Sequence, residues 1–313
     1  MKRGIVIKST GSWYHVRHED KDYPCRIIGK FRLENHQLTN PVAVGDEVEF
    51  TVENTEQGFG IIKKILPRKN YVVRQSPRKK HALHLIASNV DMAILIVTIV
   101  QPKLKLGFID RFLLMTEPFN IPTTIVFNKS DLYSADDRDF FDFLKMVYTD
   151  IGYDVLLTSA TTGEGLEAFK KLLHNKTTLL AGQSGVGKSS LVNRVAPKID
   201  LKTQELSDYS GKGQHTTTFA EMYFLEGGGA LIDSPGIKTL TFNYLEPQHV
   251  AHNFREIFEY SKNCKFGGSC LHRNEPKCAV KAAVAEGYIT EFRYENYLYL
   301  LEEIEKQNYW ERH

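Results

Sequence analysis

Apolar and polar positions change their rhythm twice along the chain. Over residues 1–66, short β-type runs ("GIVIKS", "WYHVRH", "YPCRIIGKF", "DEVEFTVEN", "FGIIKKIL") are separated by Gly, Asn and Asp. That spacing predicts a small antiparallel barrel of OB-like form. From about 82 to 244, strand-like apolar runs ("MAILIVTIV", "TTIVFNK", "DVLLTSA", "TTLLAG", "ALIDSPG") alternate with helical stretches. Such alternation predicts a parallel sheet covered by helices. Beyond 245, "PQHVAHNFREIFEYSK" and the closing "ITEFRYENYLYLLEEIEKQ" are helical around a Cys/His loop. The aromatic and leucine positions of the last segment give it one packing face. The expected organisation is a barrel over 1–66, a basic linker over 67–81, an α/β domain over 82–244 and a helical module over 245–313, with no internal repeat.

Composition narrows this picture only in places. A chain of 313 residues, 42% hydrophobic and 25% charged, can bury a sizeable core and is expected to hold more than one domain. The start, "MKRGIVIKSTGSWYHV", lacks the apolar run and cleavage site of a signal peptide. The longest nearly apolar stretch, Met92 to Val100, falls far short of the roughly 18 residues that a membrane span needs. A cytoplasmic protein without a membrane partner is expected. Three of the four cysteines lie between 264 and 278, which favours a metal site in a reducing compartment over a disulfide framework. Net charge is only +2, but no Asp or Glu occurs from Gln57 through Val90, a stretch holding eight Lys and Arg residues. This stretch is either a solvated linker or a phosphate-contacting strip beside an RNA-binding domain, with Arg78, Lys79 and Lys80 as the candidate contacts.

The candidate chemistry lies past the middle of the chain. In "GQSGVGKSS", Gly182, Gln183, Ser184, Gly185, Val186, Gly187, Lys188, Ser189 and Ser190 fit the phosphate-loop pattern, with a strand before it and a helix after. Backbone N–H groups of such a loop wrap phosphates, Lys188 reaches the outer ones, and Ser189 Oγ can ligate magnesium. "ALIDSPG" supplies Asp233, placed to hold the same magnesium through water, and Gly236, whose N–H can meet a γ-phosphate. "TTIVFNKSDL" ends a strand with Asn128, Lys129, Ser130 and Asp131. A carboxylate there accepts both the ring N–H and the amine of guanine, a donor pair that adenine lacks. In "LLTSAT", Ser159 and Ala160 offer a backbone N–H to the guanine oxygen. In "SGKGQHTTT", one of Thr216, Thr217 and Thr218, with Thr217 the chosen candidate, would complete the magnesium shell. Ile237 stands where Ras-like enzymes carry a water-orienting Gln, and an aliphatic side chain cannot orient water. Gln214 and His215 are the nearby replacements. Finally, Cys264, Cys270, His272 and Cys278 form C-x5-C-x-H-x5-C, a closed ligand set for one structural zinc per chain.

The base-reading strings precede the phosphate loop, the reverse of the order in familiar small GTPases. A sheet can be recut in this way at a surface connection without moving its site. The middle domain therefore resembles a circularly permuted GTPase. With the barrel before it and the Cys/His segment after it, the whole chain resembles the ribosome small-subunit-dependent GTPase A family. That resemblance is carried by "NKSD", "TSA", "GQSGVGKSS", "GQHTTT", "DSPG" and "CKFGGSCLHRNEPKC". It implies a monomeric factor that binds GTP and GDP with magnesium, contacts the small ribosomal subunit and its rRNA, and hydrolyses GTP on that subunit late in its maturation. It also implies that His215 positions the attacking water and that the zinc module helps grip the ribosome. A P-loop ATPase, or an RNA-binding zinc protein without nucleotide turnover, are the alternatives from the residues alone; the first leaves "NKSD" idle and the second the phosphate loop.

Overall fold

The computed structural model describes residues 1–28, 40–53, 58–75, 83–199, 201, 220–234, 242 and 244–309. Its first five strands are β1 (Lys2–Ser9), β2 (Tyr14–His18), β3 (Lys21–Ile27), β4 (Glu47–Val52) and β5 (Gly60–Ile65). They pair in the order β1-β2-β3-β5-β4, and β4 closes back onto β1. This is a five-stranded barrel of OB type. Alternate side chains point inward: Val6, Tyr14, Val16, Cys25, Val48, Phe50 and Ile62 make its own core. Cys25 is a buried apolar filler, and burial pushes its thiol up to about 12.

The expected linker over 67–81 is in part a strand, which corrects the sequence reading. Strand β6 (Tyr71–Gln75) pairs antiparallel with β7 (Leu83–Ser88). Two of the basic residues there are structural. Arg68 donates through Nε and Nη2 to the buried Asp46 at 2.7 Å each, and Lys69 pairs with Asp91. Basic runs in a sequence do not reveal which cations fold back onto acids outside the run.

The central sheet contains β8 (Met92–Val97), β9 (Thr123–Phe127), β10 (Asp154–Leu157), β11 (Thr177–Gly182), β12 (Glu221–Phe224) and β13 (Ala230–Asp233). Their order is β10-β9-β8-β11-β13-β12, parallel throughout except for β12. Strand β12 also touches the barrel through the pair Lys8↔Glu221, where the two side chains form an ion pair of 3.1 Å. Strand β8 is buried on both faces, so its run is continuously apolar, and period two sorts it. Met92, Ile94 and Ile96 join one core with Phe169 and Leu173 of α3 (Leu166–Leu173) and Leu191 and Val192 of α4 (Lys188–Val195). Ala93, Leu95 and Val97 join the other core, under α1 (Leu106–Thr116) and α2 (Ala135–Asp150).

The C-terminal helices are α5 (Pro247–His252), α6 (Arg255–Ser261), α7 (Ala279–Ala285) and α8 (Glu291–Tyr309). They do not form a separate core. Tyr297, Leu300, Leu301 and Ile304 of α8 lie in the same cluster as Ile109 and Phe112 of α1. A buried ion cluster crosses this seam. Arg293 bonds Glu256 through Nε at 2.7 Å and Nη2 at 3.0 Å and pairs with Asp110, which also accepts from Tyr148 at 2.8 Å and from Asn296. Truncating Arg293 would strand two buried carboxylates, a loss of about 3–5 kcal/mol for such clusters.

Candidate functional site

From β8 the chain runs outward to β9 and β10, then crosses to β11 on the other edge of β8. Ligands of open α/β sheets bind beyond the strands' carboxyl ends, where the order reverses in this way. The register brings those ends level: Val97 opposite Phe127, Phe127 opposite Leu157, Ile96 opposite Gly182, and Leu180 opposite Asp233. "NKSD" begins one residue past Phe127 and "TSA" one residue past Leu157, while "GQSGVGKSS" begins at Gly182 and "DSPG" at Asp233.

The loop after β11 needs its glycines for stated reasons. A Cβ on Gly182 would lie 2.6 Å from the Ile96 carbonyl oxygen, and one on Gly187, at φ +85°, 2.5 Å from Asn128 Nδ2. Gly185 is also left-handed, at φ +84°. Val186 is buried, which anchors the loop, while Gln183 and Ser189 are half-buried and Ser184 and Ser190 exposed. The loop delivers the chain into the N-terminus of α4, where free N–H groups and the helix dipole favour an anion. Lys188 pairs with the carboxylate of Asp233, so the residues expected to meet phosphate and magnesium are already adjacent.

The base end is joined directly to that loop. Asn128 is buried; its Nδ2 donates to the Val186 carbonyl at 2.9 Å and its Oδ1 accepts from Thr158 Oγ1 at 3.1 Å. Its side chain is therefore a strut between the two halves of the site. Lys129 takes φ +65°, and its ammonium donates to the Gln101 carbonyl at 2.8 Å. Ser130 is buried and donates to Glu164. Asp131 is exposed, and the Ser159 hydroxyl donates to its Oδ1 while accepting the N–H groups of Thr161 and Thr162 at 3.1 Å each. A carboxylate offers about four lone-pair sites, so one such bond orients Asp131 and leaves it able to accept more. Ala160 is half-buried beside it. This arrangement fits a ligand with two adjacent donors at one end and phosphates at the other.

Several supporting residues escaped the sequence reading. The Tyr133 hydroxyl donates to the Asn128 carbonyl at 3.0 Å and accepts from the Ile99 N–H at 3.1 Å. Thr158, from "TSA", donates to both the Asn128 side chain and the Phe127 carbonyl, whereas nothing in the local sequence marks Glu164, which takes Ser130 and Arg138, or Gln101, whose carbonyl takes Lys129. Tyr133 had one signal, an aromatic two residues past Asp131. Arg78, Lys79, Lys80, Gln214, His215, Thr216, Thr217, Thr218, Gly236 and Ile237 lie outside the described residues.

Cys264, Cys270, His272 and Cys278 converge, all four buried, with their ligand atoms within 4.8 Å of one another. A tetrahedral zinc with bonds of about 2.3 Å to sulfur and 2.0–2.1 Å to nitrogen requires S···S edges of roughly 3.8 Å and S···N edges of roughly 3.5 Å. Cys264 and Cys278 are 3.8 Å apart, and His272 Nδ1 is 3.6 Å and 3.4 Å from them. The donor set fits zinc. Burial pushes the Cys270 thiol up to about 12 and the Cys278 thiol up as well, and it holds the His272 imidazole below its ordinary value. Neutral imidazole is a ready ligand, whereas the thiols lose their protons only to a metal. Tyr294 and Tyr297 brace the loop by donating to the His272 and Leu271 carbonyls.

A parallel sheet that carries its base-reading turns before its phosphate loop defines a circularly permuted GTPase domain. The family described as RsgA GTPase matches residues 65–243, and the RsgA N-terminal domain matches residues 3–60. The small ribosomal subunit biogenesis GTPase RsgA of Phocaeicola vulgatus is 47% identical over 308 residues, and its counterpart from Bacteroides fragilis 46%, with 98% of both chains covered in each case. Among solved structures, YjeQ from Thermotoga maritima superposes with a TM-score of 0.76 at 37% identity, covering 97% of this chain and 98% of that one. YloQ, a circularly permuted GTPase, gives 0.72 at 34% identity, covering 98% and 96%. The chain belongs to the RsgA GTPase family, and its activity is GTP hydrolysis. Among the described residues no helix is long and apolar enough to cross a membrane.

Proposed function

We propose that this GTPase binds the small ribosomal subunit, assists its late maturation, and turns over GTP rapidly only when docked there. One observation supports guanine and phosphate recognition in a single site: the Asn128 strut to Val186, which ties the exposed Asp131 to the phosphate loop. The ribosomal part rests on the relatives, whose name is small ribosomal subunit biogenesis GTPase. Asp131 takes the two guanine donors, and the Ala160 N–H takes the guanine oxygen. Gly182 to Ser190 wrap the phosphates, and Lys188 exchanges Asp233 for the outer phosphates. Ser189 and Thr217 hold magnesium, with Asp233 behind a water and Gly236 at the γ-phosphate. His215 positions the attacking water once the subunit orders its segment. One zinc per chain closes the Cys/His loop, Arg78, Lys79 and Lys80 meet rRNA phosphates, and the monomer works in the cytoplasm.

The test is a competition for labelled GTP, together with turnover measured with and without purified subunits. GTP and GDP should compete, ATP should not, and subunits should accelerate hydrolysis. His215→Ala should keep the affinity and lose the acceleration. Equal competition by ATP contradicts the base assignment; undiminished stimulated turnover moves the water-positioning role to Gln214 or to a ribosomal group.

A further inference from the structure

The barrel carries a feature that neither the nucleotide site nor the zinc loop uses. Trp13 ends the β1–β2 turn, where the Thr10 N–H and hydroxyl both donate to its carbonyl, at 2.9 Å and 3.1 Å. Phe59 stands at the root of the β4–β5 loop, its carbonyl accepting from the Glu53 N–H at 3.0 Å. Arg26 projects outward from β3 next to the inward Cys25, and its guanidinium lies 4.1 Å from the Trp13 ring centre and 6.0 Å from that of Phe59. The two rings meet edge to face at 6.1 Å. Trp13 and Phe59 are half-buried and Arg26 is exposed. Among the described residues no carboxylate pairs with Arg26, whereas nearby Arg17 is held by Asp22. Lys63 and Lys64 on β5, the parallel neighbour of β3, are exposed and add positive charge.

We propose that Trp13, Arg26 and Phe59 form a platform on which the barrel stacks an unpaired RNA base, with the Arg26 fork and the β5 lysines meeting the adjacent phosphates. The proposal rests on the reading of the chain as a subunit-binding factor and names the residues and the RNA class involved. Strands 2–3 and the loops after strands 1 and 4 are the part of an OB barrel that takes oligonucleotides, and the three side chains come from those places. A stacked guanidinium presents a flat cationic face and unused N–H donors, a combination suited to a base and its phosphate. Duplex RNA hides the faces of its bases, so the platform selects single strands or bulged nucleotides. It also separates base stacking from the phosphate contacts assigned to Arg78, Lys79 and Lys80.

The experiment uses the full chain with Trp310→Phe, which leaves Trp13 as the sole one of its two tryptophans. An unstructured single-stranded RNA of about ten nucleotides and a duplex of the same length are titrated at several salt concentrations. Expected are quenching of Trp13 by the single strand, much weaker binding of the duplex, and, read for every variant by anisotropy of the end-labelled RNA, a roughly ten- to hundredfold loss with Trp13→Ala or Arg26→Ala. Trp13→Phe should retain most of the affinity. Arg26→Ala keeps the test sound if Trp13→Ala misfolds, because Arg26 is exposed. Wild-type affinity in both alanine variants, or preference for the duplex, overturns the platform; capture of an acidic peptide in place of RNA does so too. Co-sedimentation with small subunits runs in parallel. Wild-type protein that fails to sediment refutes the ribosomal assignment, whereas sedimentation unchanged by the alanine variants refutes only the platform.

Discussion

The nucleotide site and the Cys/His loop are each assembled from short strings, yet they are held in opposite ways. At the nucleotide site the fold itself holds the functional groups. Parallel register levels the strand ends, left-handed glycines set the loop, Asn128 and Tyr133 fix neighbouring groups through buried hydrogen bonds, and Ser159 fixes Asp131 through a half-buried one. In the Cys/His loop three buried thiols and an imidazole face one another, and burial disfavours the thiolate form at Cys270 and Cys278. A site of the first kind is pre-organised by packing; one of the second kind depends on its metal. The difference predicts that damage to one should leave the other standing.

The largest effect is expected in the metal loop. Cys278→Ser should abolish stoichiometric zinc and destabilise the C-terminal helices by several kcal/mol. Elemental analysis with hydrogen exchange over residues 264–285 would measure this, and GTP affinity should fall far less. Next comes Gly187→Ala, which combines a left-handed backbone at φ +85° with a Cβ only 2.5 Å from Asn128 Nδ2. Strain of about 2–3 kcal/mol corresponds to roughly 30- to 150-fold weaker GTP binding by calorimetry, with zinc content unchanged. Asn128→Ala is milder. It leaves the buried Val186 carbonyl and the Thr158 hydroxyl without this partner, a cost of about 1–3 kcal/mol that should appear as roughly tenfold or greater loss of GTP affinity. If any of these substitutions damaged both sites equally, the contrast between a fold-held and a metal-held site would fail.

How much of this was legible in the sequence followed the range of each interaction. The Cys/His set spans 15 residues from Cys264 to Cys278, and its residue types and spacing alone mark a group that could hold a metal. The strings "GQSGVGKSS" and "NKSD" are equally local, and alternation identified the strands that carry them. Long-range pairing was not legible. Nothing near Arg68 reveals the buried Asp46 it neutralises, so part of the basic stretch was read as linker when it contains β6. Asp110 and Arg293 are 183 positions apart, and their union means that the zinc module shares the GTPase core. Among the described residues the barrel's strand pairing with the central sheet is the one pair Lys8↔Glu221, with Arg17 over the Phe224 ring beside it, too small to leave a pattern. Asn128 belongs to the legible string "NKSD", but its contact with Val186 depends on register between strands 50 residues apart in the chain, from Phe127 to Thr177.

The central claim is that Asp131, oriented by Ser159, reads guanine at a site whose phosphate end is the loop from Gly182 to Ser190. Affinities for GTP and for xanthosine triphosphate, measured on wild type and Asp131→Asn, test it most directly. Asparagine turns an acceptor edge into one that also donates, so it opposes the guanine N–H pair and suits the carbonyl that xanthine presents there. The account predicts that GTP binding weakens by at least roughly a hundredfold while the xanthine nucleotide gains. GTP affinity unchanged by the substitution would contradict it.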